Sequence, residues 1–99
     1  MHDESKKLYD RALGSMVGGV SSQIRTLEPA EHPLFFESAQ GSHMWDVDGN
    51  EYIDYVMGLG PALFGHAPEF IARRVTEAMQ HGFVYAAQHV CELEVAEMA

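Results

Sequence analysis

Arg25 is the residue whose setting best suits a chemical task. It follows the hydroxyls of Ser21 and Ser22 in a Gly/Ser-rich stretch and lies between the apolar Ile24 and Leu27. A guanidinium steadied by apolar neighbours presents a rigid fork of donors that grips a carboxylate bidentately. Taken on local sequence alone, a solvated surface arginine is the competing expectation. Other constellations do not carry chemistry. Asp46-x-Asp48-x-Asn50 imitates the start of a calcium loop, but Glu51 stands where that loop needs glycine and Met57 where it needs a bidentate glutamate. A hairpin turn explains the same residues. Gly60 and Gly65 have the spacing of a phosphate loop, yet His66 and Ala67 replace its lysine and hydroxyl. Gly58-x-Gly60 lacks the third glycine of a dinucleotide fingerprint. The 6 histidines form no HExxH, and Cys91 has no cysteine partner, so metal-ligand spacing is absent. Ser21 and Ser22 have no oriented base in view, as a nucleophile requires.

The elements that must position Arg25 are short. Residues 3 to 13 read as a helix with Leu8 and Ala12 on one side and Gly14 as its stop. The Gly-, Ser- and Pro-rich stretch from Gly14 to Pro33 holds no long regular structure, but Met16, Val17, Val20 and Ile24 predict that it is pressed against something. Strands are expected at Leu34 to Ala39, His43 to Val47 and Glu51 to Val56. Gln40-Gly41 forms the first turn and Asp48-Gly49-Asn50 the second, where Gly49 takes the positive φ that the turn demands. Pro68 opens a helix reaching His81, capped by Gly82, with Ile71, Val75, Ala78 and Met79 as one buried stripe. A loop from Phe83 to His89 leads to CELEVAEMA, a helix-favouring run that meets Ala99 without a stop signal. That ending predicts a chain cut from a longer one.

Composition bounds the class. The 99 residues are 46% apolar and 21% charged, which is globular in character. A net charge of −9 with only 6 Lys and Arg argues against nucleic acid as a partner. One cysteine excludes an intrachain disulfide, and neither a signal peptide nor a membrane-spanning run is visible. A soluble, cytoplasmic protein is expected, with no membrane partner.

In order, these pieces resemble a known family. GSMVGGVSSQIR followed by MWDVDGNEYIDYVMGLGPALFGHAPEF is similar to the N-terminal part of class III pyridoxal-phosphate aminotransferases, and most similar within them to glutamate-1-semialdehyde aminomutases. The resemblance runs from about Leu8 to the end. It implies an α/β, fold type I enzyme of several hundred residues that binds pyridoxal 5'-phosphate and acts on a small-molecule amino substrate as a homodimer. This chain would be the α+β N-terminal share of its small domain, with a three-stranded antiparallel sheet, over residues 1–90. Residues 91–99 would begin the large cofactor domain.

By the same resemblance, Ser22 and Arg25 fall on the positions that bind the substrate carboxylate, and the loop with Gly58, Leu59, Gly60 and Pro61 lines the pocket. The sequence departs from the family pattern where Met57 and Leu59 flank Gly58, removing an aromatic residue. It also departs where Gly65-His66-Ala67-Pro68 is one residue short, and at Ser21 and Gln23. No catalytic residue and no cofactor ligand is assigned within the chain: its only lysines, Lys6 and Lys7, are adjacent in a polar helix, whereas a Schiff-base lysine needs a lowered pKa. The competing expectation is a non-catalytic α+β interaction module or degenerate paralogue that pairs with another chain. A module of a larger multidomain synthase shares the leading chemistry.

Overall fold

A computed structural model describes residues 2–26 and 31–99. Leu27, one of the two apolar neighbours invoked for Arg25, lies outside them. The chain divides into two compact units, 1–68 and 69–99.

In the first unit, helix α1 spans Asp3–Leu13. Asp3 and Glu4 occupy its first turn and Arg11 its last, the polarity the helix dipole favours. Ser5 and Ala12 are buried, whereas Leu13 is half exposed. Two 3-10 turns follow, at Val17–Gly19 and Gln23–Thr26. Gly19 is held at φ 72°, and a Cβ there would lie 2.5 Å from the Tyr9 ring, so only glycine lets this turn close on α1.

Strands β1 (Phe36–Gln40), β2 (His43–Asp46) and β3 (Glu51–Ile53) form an antiparallel meander in that order. The register pairs Gln40 with His43, Ala39 with Met44, Met44 with Tyr52 and Trp45 with Glu51. It slips between Phe36 and Ser38, one extra residue that bends the edge strand. Gly49 adopts φ 83°, as the hairpin turn requires. β3 is shorter than the alternation predicts. Its last three expected residues leave the ladder because the Asp54 carboxylate captures the amides of Val56 and Met57 and turns the chain.

The second unit holds α2 (Glu69–Met79) and α3 (Val90–Met98). Gly82 sits at φ 93° after α2, and His89 and Glu92 form a reciprocal cap that starts α3. The expected burial of the α2 stripe is not observed. Ile71 is 38% exposed, Val75 49% and Met79 50%. The stripe exists, but its residues remain exposed to this extent. Val17 and Ile24 are likewise exposed, whereas Val20 is half-buried.

Candidate functional site

Arg25 lies in the second 3-10 turn, where its amide donates to the Ser22 carbonyl at 3.1 Å. Its guanidinium Nη1 donates to the Ser21 hydroxyl at 2.8 Å. Among the described residues no carboxylate pairs with it. The partner is thus Ser21, four residues back, a spacing visible in the sequence; Ser22 contributes its carbonyl to the turn.

Gly58, Leu59 and Gly60 lie in a third 3-10 turn, Met57–Leu59, and its exit. Met57 and Leu59 have φ of 52° and 65°, and Gly58 and Gly60 have 63° and 118°. Two side-chain-bearing residues in the left-handed region mark a locally strained backbone. Leu59 is 71% exposed, so the strain displays an apolar side chain to the outside. Asp54 holds the turn from below. Its Oδ1 accepts from the Val56 and Met57 amides, and its Oδ2 lies 2.6 Å from Nε2 of His66. The Met57 amide and His66, outweighing burial, hold the Asp54 carboxyl below the usual carboxylate range. The pair is not legible in the sequence, since eleven intervening residues leave no local signal. No hydrogen bond joins Ser22 or Arg25 to residues 58–60 among the described residues.

A third cluster joins His2, Asp46 and Asp48, whose ligand-type atoms lie within 4.8 Å of one another. It recovers two residues of the calcium-like pattern, but the oxygens are already engaged by protein donors. Asp46 Oδ1 accepts from the Asp48 and Asn50 amides, and Oδ2 from Asn50 Nδ2 and the Tyr52 hydroxyl. Asp48 takes the amides of Glu4 and Ser5 at the start of α1. The arrangement is a clasp between hairpin and helix.

The two lysines do not fit a cofactor anchor. Lys6 and Lys7 are exposed and paired with Asp10 and Glu4 at 2.7 and 2.6 Å, and these partners raise their pKa values. A Schiff-base lysine needs the opposite shift. Neither lysine therefore has the lowered pKa that a covalent pyridoxal-phosphate anchor needs.

A helix, an antiparallel meander and a glycine-rich turn follow one another in this order. In sequence and fold the chain is similar to the N-terminal segment of class III pyridoxal-phosphate aminotransferases, enzymes of α/β fold type I. Among those relatives stands the glutamate-1-semialdehyde 2,1-aminomutase of Methanosphaera stadtmanae, 45% identical over 96% of this chain and 22% of its own length. A solved transaminase with pyridoxal phosphate bound superposes with a TM-score of 0.88 at 30% identity, covering 98% of this chain and 22% of its own. The glutamate-1-semialdehyde aminomutase of Pseudomonas aeruginosa gives 0.87 at 26% identity, over 95% of this chain and 21% of its own. The chain thus spans about a fifth of the length of the curated relatives it matches. No family model matches it.

Proposed function

We propose that this chain serves as the N-terminal part of a pyridoxal-phosphate-dependent aminotransferase or aminomutase acting on a carboxylate-bearing amino compound of the glutamate-1-semialdehyde kind. Residues 1–90 belong to its small domain, and 91–99 open the large domain that supplies the cofactor site. The observation that carries this reading is the Arg25 guanidinium, oriented by Ser21 and unmatched by a carboxylate among the described residues. In the complete enzyme Arg25 and Ser22 bind the substrate carboxylate, and Gly58, Leu59, Gly60 and Pro61 shape the pocket beside it. Leu59, where relatives of the resembled pattern carry an aromatic residue, shifts the preference toward substrates that tolerate an aliphatic wall. The enzyme works as a cytoplasmic homodimer, which gives the exposed apolar residues of the 14–33 stretch a surface to meet.

Two measurements test this. The coding frame read past Ala99 should continue and bring a lysine after a strand; a stop codon there would leave the interaction-module reading in its place. In the complete enzyme, Arg25→Ala should weaken carboxylate substrates by about 2 kcal/mol or more, roughly 30-fold in kcat/KM, because a buried anion would lose its charged partner. Unchanged kinetics with that variant would remove Arg25 from the site.

A further inference from the structure

The segment from Asp54 to His66 is closed at both ends. The Asp54 amide donates to the Ser42 carbonyl at 2.8 Å, while His66 exchanges two backbone hydrogen bonds with Gly41 at 2.8 and 2.9 Å. Both ends therefore sit on adjacent residues of the β1–β2 turn. Gly65 makes this approach possible, since a Cβ there would lie 2.9 Å from the Gly41 carbonyl oxygen. The side chains add a second closure, with His66 Nε2 donating to Asp54 Oδ2 at 2.6 Å, a charge-assisted hydrogen bond. Only 6% of the Asp54 side chain and 22% of that of His66 are exposed, so water competes weakly for the bond.

Between these ends Met57 and Leu59 hold a left-handed conformation that residues with side chains keep only where the surroundings impose it. The Asp54 carboxylate reaches both the entry of that turn and the far end of the loop. One oxygen fixes the amides entering the turn, and the other is tied to the histidine at the far end of the loop. Losing His66 would free the carboxylate to rotate and release the Val56 and Met57 amides.

We propose that Asp54 and His66 form a positioning pair that sets the conformation of Met57-Gly58-Leu59-Gly60 for substrate binding. The proposal rests on the reading that this turn lines the substrate pocket. Neither side chain touches substrate; both act through the loop backbone.

The test compares complete holoenzyme carrying His66→Ala, His66→Gln or Asp54→Asn with the unaltered enzyme, by amide hydrogen exchange and by steady-state kinetics. His66→Ala should speed exchange across residues 57–62 by about tenfold or more while the β1–β3 amides stay close to their original rates. KM for the amino substrate should rise by about tenfold with kcat changed much less, because the turn is misplaced while the cofactor chemistry is untouched. His66→Gln keeps a donor near the Nε2 position and should restore most of both values; Asp54→Asn should behave like His66→Ala. Unchanged exchange in the turn would overturn the proposal, and so would a loosened turn with unchanged KM. If the unaltered enzyme transfers no amino group, the functional reading fails instead, and the exchange comparison alone decides whether the pair holds the turn.

Discussion

At Asp46, four donors converge on a carboxylate that burial alone would push toward its neutral form. The side chain is fully buried, yet Asn50 through its side chain and amide, the Tyr52 hydroxyl and the Asp48 amide outweigh that burial and hold its pKa at about 2. Burial, together with the same contact, pushes the Tyr52 phenol up to about 12. Because the folded-state pKa of Asp46 lies below its ordinary value of 3.8, its contribution is fully present above that pH and is lost as the pH falls toward 2. The shift corresponds to about 2 kcal/mol. Urea unfolding followed by Trp45, the one tryptophan and a β2 residue, should show this acid loss. Asp46→Asn should flatten it and lower stability at neutral pH. An unchanged acid profile would mean that other carboxylates govern the transition.

Among the elements, α1 and the β2–β3 hairpin depend on each other. His2 provides no side-chain cap for α1; the first free amides are instead satisfied by Asp48, 44 and 43 residues further along the chain. The Ser5 hydroxyl in turn accepts from the Phe35 amide, tying the helix to the entry of β1. Asp48→Ala should fray the first turn of α1, seen as faster amide exchange over residues 4–7, with the hairpin register retained because Gly49 still makes its turn. Equal exchange in the variant would show that His2 or solvent suffices. The helix itself was legible from its composition and the hairpin from Asp48-Gly49-Asn50. The cap was not, since a hydrogen bond between residues so far apart leaves no periodicity to detect. The end of β3 was misplaced for a related reason: a single side chain, Asp54, outcompeted the ladder for two amides.

For the molecule as a whole, the amount of apolar side chain left in water is the dominant fact. Tyr55, Leu59, Leu63 and Phe64 in the first unit, and Phe70, Val84, Leu93 and Val95 in the second, are each at least half exposed. Such surface is rare on chains that function alone and is a feature of surfaces made to be covered. The isolated 99-residue chain should therefore bind a hydrophobic dye strongly and self-associate at about micromolar concentration or above. A monodisperse, dye-silent monomer would show that the chain needs no cover. No described helix is long and apolar enough to cross a membrane.

The sequence by itself determined the order of the α-helices and strands, the two glycine-dependent turns at Gly49 and Gly82, and the family likeness, because these rest on local propensity and contiguous motifs. The spacing that pairs Arg25 with Ser21 was also legible. Tertiary structure alone decided three matters. It showed that Asp46 and Asp48 serve as a structural clasp, that Asp54 and His66 close the loop carrying Gly58 to Gly60, and that the apolar stripe of α2 lies open. Each depends on distances between residues remote in sequence, or on the absence of a covering neighbour, and neither quantity is encoded in spacing or composition.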